Sequence, residues 1–98
     1  MKYEPGDCVL LILQNPREKV FGLLEELTAA GITMRGIDLD YFDDWSRAIA
    51  NGEPHLAMNE TFFPMWRIER MSRDKGSAEI PSMQEQFEER TGFKLSEC

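Results

Sequence analysis

The run CVLLIL, Cys8 to Leu13, constrains the fold more than any other part of the chain. Side chains of a strand alternate between its two faces. Here Val9, Leu11 and Leu13 are apolar on one face, and Leu10 and Ile12 are apolar on the other. Such a strand must be buried on both sides. A sheet built around it needs two covers, and a chain of 98 residues has few elements to supply them. A domain of that size buries only about 60–65% of the surface its unfolded chain exposes, so its stability margin is thin.

The segments after it read as a bent meander. NPREK, residues 15–19, is a polar hairpin connection, and VFGLLEEL, residues 20–27, is a second strand. Gly22 inside it marks a bend, a bulge or a close backbone approach. TAAG, residues 28–31, predicts a tight turn with Gly31 in the left-handed region. ITMRGIDL, residues 32–39, alternates as far as Arg35 and changes phase after Gly36, as a bulge would make it do.

The period of two then breaks. Asp43 stands where a cap belongs, Trp45, Ala48 and Ile49 fall at i, i+3 and i+4, and Gly52 is a stop, which predicts a helix over about 43–51. A second helix over about 82–91 is predicted by the S-x-x-E capping box at Ser82 and Glu85, with Gly92 ending it. Between them FFPMWRIERM, Phe62 to Met71, reads as the fourth strand, RDKG as a hairpin at Arg73 to Gly76, and SAEI, Ser77 to Ile80, as a brief fifth strand.

The fourth strand raises a question of cover. Phe62, Pro64, Trp66 and Ile68 point one way, and Phe63 and Met65 the other, so its first half is apolar on both faces. Pro64 donates no hydrogen bond, which confines it to an edge or a bulge. An apolar edge has to be covered, by the chain's own helices or by another subunit. The need to place Trp45 and Phe87 favours the helices. If a subunit supplies the cover, the interface is Phe62, Phe63, Pro64, Met65 and Trp66.

Charge narrows the function classes. The formal net charge is −7, and between Asp38 and Glu60 six acids stand against Arg47 alone. A nucleic-acid backbone is repelled there, which disfavours RNA and excludes DNA as a general partner. The longest apolar run is far shorter than the roughly 20 residues that span a bilayer, and no leader pattern opens the chain, so the reading is cytoplasmic, with no membrane. Cys8 and Cys98 lie at opposite ends with no paired spacing and read as reduced thiols.

No motif for catalysis emerges. A calcium loop starting at Asp38 needs glycine at its sixth position and glutamate at its twelfth, where Asp43 and Ile49 stand. His55, the lone histidine, has no recognisable nucleophile or orienting partner nearby. Phosphate-binding glycine loops and zinc or serine-hydrolase motifs are missing. Arg67, Arg70, Arg73 and Lys75 make a basic set beside Trp66 and Phe63, the mixture of charge and rings that holds single-stranded nucleic acid. The outer face of an ordinary edge strand has the same composition.

Five short bent strands, with Leu13, Gln14 and Asn15 ending the first, Arg17 as a basic turn residue and Gly22, Leu23 and Leu24 in the second, resemble the Sm-like small β-barrel family. The bacterial Hfq RNA chaperone belongs to that family. The match runs from Val9 to Gly36, with Phe62 to Met71 standing where the family's second motif lies. The signature of that motif is absent, and a helix is inserted before it. The resemblance implies copies that join the edges of their fourth and fifth strands, and a single-stranded RNA ligand.

The fold predicted is mixed β/α and mainly β: a five-stranded bent antiparallel sheet or barrel in the order β-β-β-α-β-β-α, one small domain over residues 1–98. The function predicted is a non-catalytic interaction or assembly module without a cofactor, self-associating or binding a protein partner through Phe62 to Trp66. The alternative is a single-stranded RNA binder using Arg67, Arg70, Arg73, Lys75 and Trp66. A third reading is a metal protein or small enzyme built on the acidic cluster.

Overall fold

A computed structural model of the chain describes residues 2–98. Strands β1 (Cys8–Leu13), β2 (Glu18–Leu27), β3 (Gly31–Asp38), β4 (Asn59–Pro64) and β5 (Ile68–Arg73) form one antiparallel sheet in the order β4-β3-β2-β1-β5. Helices α1 (Phe42–Ala50) and α2 (Met83–Thr91) complete the predicted order β-β-β-α-β-β-α.

The two faces of β1 are covered by different means. On one, Cys8 joins Phe21, Leu23 and Ile37 beneath Phe42, Trp45 and Ile49 of α1 and Phe87 of α2. Trp45 and Phe87 stack with ring centroids 4.9 Å apart, so each helix packs on the other as well as on the sheet. On the other face Val9, Leu11 and Leu13 join Leu24, Ile32 and Met34 in a cluster that contains no helical residue. These six are at most 2% exposed. Their cover comes from Tyr3 and from the sheet's own Val20, Phe63, Ile68 and Met71, so the sheet is curled around its inner face. No ladder joins β4 to β5 among the described residues, and the two strands remain the free edges.

The curl depends on a glycine pair. Gly22 faces Gly36 across the β2–β3 ladder. A Cβ on Gly22 would lie 2.0 Å from Arg35 O and 2.5 Å from Gly36 Cα, so close backbone approach is what requires glycine here. The bulge is further along β2, where the register shifts between Leu24 and Glu26.

Several local expectations are corrected. Gly31 is not left-handed; it opens β3, where a Cβ would meet Phe63 O at 2.2 Å. The phase change after Gly36 is not a bulge, because the pairs Gly22–Gly36, Phe21–Ile37 and Val20–Asp38 run on without a shift. It reflects burial on both faces, Ile32 and Met34 inside the curl and Ile37 under the helices. The predicted Asp43 cap is replaced by a one-turn 3-10 helix, Leu39–Tyr41, that leads into α1. Asp38 caps that turn by accepting from Asp40 N at 3.1 Å, and Asp43 and Asp44 lie in the first turn of α1, where carboxylates complement the helix dipole.

The predicted fourth strand, Phe62 to Met71, is two strands. Pro64 ends β4, a one-turn 3-10 helix at Met65–Arg67 carries the chain from one sheet edge to the other, and β5 begins at Ile68. Ser77 to Ile80 is therefore not the fifth strand. It is an exposed bend in which Ser77 Oγ accepts from Glu79 N and Ile80 N, taking donors that a ladder would need.

The second helix starts where the sequence places it. Ser82 and Glu85 form the capping box, and Gly92 ends the helix with φ of 77°. Asp74, just beyond β5, accepts from Met83 N and Gln84 N at 2.8 Å each and ties the helix start to the sheet. Arg90 donates to Ser46 Oγ at 2.6 Å, binding α2 to α1.

Candidate interaction surface

The corner between β4 and β5 is rigid and apolar. Gln14 donates from Nε2 to Trp66 O and from its backbone N to Arg67 O, both at 2.7 Å, while Met65 N donates to Ala30 O at 2.9 Å. The 3-10 turn is thus held from both flanks by the β1–β2 and β2–β3 connections. It presents Trp66, 64% exposed, and Met65, 40% exposed, and Phe62 of the adjoining β4 is 51% exposed. The Phe62 ring lies across Gly31, whose missing side chain makes room for it.

The five residues of the sequence-based interface do not behave alike. Phe62, Met65 and Trp66 face solvent, Pro64 is half-buried, and Phe63 turns inward against the inner cluster. Neither helix covers them; Phe62 shares the sheet face of Ile37, but Trp45 and Phe87 pack over Phe21, Leu23 and Ile37, towards the other end of β3. The expectation that the helices provide this cover is therefore corrected.

Towards the other end of β4 there is a cleft of about 520 Å³. Val20, Ile37, Tyr41, Leu56 and Phe63 give it apolar walls, and Asp38, Asn59 and Thr61 supply polar groups. Gly36 contributes depth by having no side chain. Leu56 sits in the loop after α1, which is anchored by the buried Trp45 donating from Nε1 to Leu56 O at 2.7 Å. Sequence reasoning missed this cleft. Its residues come from three strands, a 3-10 turn and a loop, and only the apolar Leu56, Ala57 and Met58 within the stretch EPHLAMNE hinted at it.

The basic set is partly engaged. Arg67 holds Glu18 Oε1 at 2.7 Å and donates to Asn15 O at 3.2 Å. Arg73 holds Asp7 Oδ2 at 3.1 Å, with its guanidinium 4.6 Å from the Tyr3 ring centroid. Arg70 and Lys75 are exposed and carry no ion pair among the described residues.

Groups with chemical potential elsewhere are quiet. Burial pushes the Cys8 thiol up, and the charge of Asp74 adds to the shift, so the nucleophilic thiolate is suppressed. His55 is exposed, with Nδ1 3.0 Å from Glu53 O. No three His, Cys, Asp or Glu side chains among the described residues are grouped to hold a metal ion, and this includes the acidic cluster. No helix among them is long and apolar enough to cross a membrane.

One acidic pair is strained. A hydrogen bond with Glu60 raises the Glu25 carboxyl, and burial adds to the shift, against the lowering effect of Arg35. Glu25 Oε1 is also buried without a hydrogen-bond partner among the described residues, which adds to the cost of its ionised form. A carboxyl held more protonated in the folded chain loses stability as pH rises from its unfolded value through its folded one. Glu25→Gln should therefore raise Tm at neutral pH, with the gain vanishing in mild acid. Calorimetry at the two pH values checks this, and an equal gain at both would contradict it.

No protein-family model, curated protein or solved structure matches the chain, so the sheet order, the apolar corner and the cleft are what a functional reading of it has to stand on.

Proposed function

We propose that the protein is a non-catalytic assembly module that self-associates through the β4–β5 corner. The observation that carries this reading is the exposed trio of Phe62, Met65 and Trp66 on a corner braced at three backbone positions. Large apolar side chains grouped on one rigid surface mark a contact site, and aromatic anchors on a pre-organised backbone lose little entropy on docking. β4 is also a free edge strand, which a monomer would have to protect with charge or cover.

A second copy of the chain suits the surface because its charge is polarised. Asp38 at the end of β3 and Glu60 on β4 lie at the β4 edge, and the unpaired Arg70 and Lys75 lie on and beyond β5. Copies meeting head to tail bring unlike charges together. The Sm-like resemblance supports the same reading, since it implies copies joined through the fourth and fifth strands, here the two free edges. RNA binding ranks second, because Arg67 and Arg73 already hold carboxylates.

The variant to test is Phe62→Glu, since Phe63 belongs to the inner cluster and its loss would disturb the fold. Light scattering after size exclusion should give a wild-type mass above one chain and a Phe62→Glu mass of about 11.3 kDa, with the same circular dichroism. A variant that keeps the wild-type mass would remove the corner from the contact.

A further inference from the structure

We propose that the indole of Trp66 seats in the cleft of a second copy, between Tyr41, Leu56 and Phe63. This rests on the self-association reading and names the contact that makes it. Trp66 is the most exposed aromatic of the chain, and it is absent from the walls of its own cleft. Knob and hole are therefore both present and both unfilled within one copy. A cleft of about 520 Å³ takes an indole with part of the chain that carries it.

The chemistry of the two parts is complementary. A buried tryptophan needs an acceptor for its ring N–H, and Asp38, Asn59 and Thr61 are oxygen-bearing residues of the cleft lining. Arg70 follows Trp66 along the chain without an ion pair, while Asp38 lines the cleft. Docking thus brings an unpaired base towards Asp38 and buries one of the most effective hot-spot side chains. Both parts are firm beforehand, the knob through Gln14 and the hole through the Trp45 bond to Leu56 O.

Two variants separate knob from hole. Trp66→Ala removes the knob, and Ala57→Trp fills the hole from an exposed loop position that lines it. Each alone should run as one chain of about 11.3 kDa, and an equimolar mixture should recover a two-chain species, because one intact knob then meets one intact hole. Fluorine spectra of 5-fluorotryptophan protein should show the Trp66 signal losing its solvent isotope shift on concentration, while that of the fully buried Trp45 stays unchanged.

The other outcomes count against the contact in distinguishable ways. If both variants keep the wild-type mass, copies associate elsewhere and the cleft serves another occupant, such as a small apolar ligand. If both are single chains and the mixture stays so, corner and cleft both take part in association but Trp66 does not seat in the cleft. If the wild-type chain itself is single at every concentration, this contact and the self-association reading fall together.

Discussion

Gly22→Ala is expected to cost about 3 kcal/mol or more, the upper end of what forced overpacking does, and to leave a large unfolded fraction. The added Cβ would fall 2.0 Å from Arg35 O and 2.8 Å from Arg35 C, atoms of the neighbouring strand's backbone that no side-chain rotation can move aside. Relief requires β2 to move away from β3 at the point where the sheet curls. That movement opens both clusters, because Phe21 on one side of Gly22 and Leu24 two residues beyond it are each at most 1% exposed. Domains of this class hold only about 5–15 kcal/mol in total. Urea unfolding followed by circular dichroism should show the midpoint lowered sharply; a midpoint equal to that of wild type would mean that the strands are not so close.

Trp45→Ala is expected to cost about 3–5 kcal/mol, as removal of a large buried aromatic side chain does. Trp45 is fully buried, stacks on Phe87 at 4.9 Å and lies 6.4 Å from Phe42, so the loss empties the centre of the helical cover. It also removes the donor that anchors Leu56. Trp45→Phe separates the two effects. It keeps a ring against Phe87 while losing the hydrogen bond, so the urea midpoint should fall less, and amide exchange should accelerate in residues 53–58. Unchanged exchange in that loop would mean that the Trp45 bond does not hold the wall of the cleft.

The parts of the fold that were legible in the sequence were those with local causes. The two-sided apolar run of β1 announced a sheet covered on both faces, and the Ser82–Glu85 box with Gly92 bounded α2 to within a residue. What two-sided burial also did was blur β3, where apolar residues on both faces imitate a bulge. The β4–β5 break was hidden because one 3-10 turn of three residues interrupts the alternation too briefly to stand out; Pro64 was the local sign of it. Ser77 to Ile80 looked like a strand because propensity cannot show that the Ser77 hydroxyl has taken two backbone donors.

The site divides in the same way. The apolar corner was legible, since Phe62, Met65 and Trp66 are local and a proline marks their edge. The inward turn of Phe63 was not, because it depends on how far the sheet curls. Nor was the engagement of Arg67 and Arg73, whose carboxylate partners lie 49 and 66 positions away. The cleft left almost no trace, since its walls come from Val20, Ile37, Tyr41, Leu56 and Phe63, which meet only when β4 returns to β3.

Sedimentation equilibrium of the wild-type chain over a wide concentration range tests the central claim most directly. The account predicts a mass that rises with concentration from about 11.3 kDa to a whole multiple of it, with the rise weakened by salt where the opposed charges contribute. A mass fixed at one chain across the whole range would contradict it, and would leave Phe62, Met65 and Trp66 exposed for a different partner.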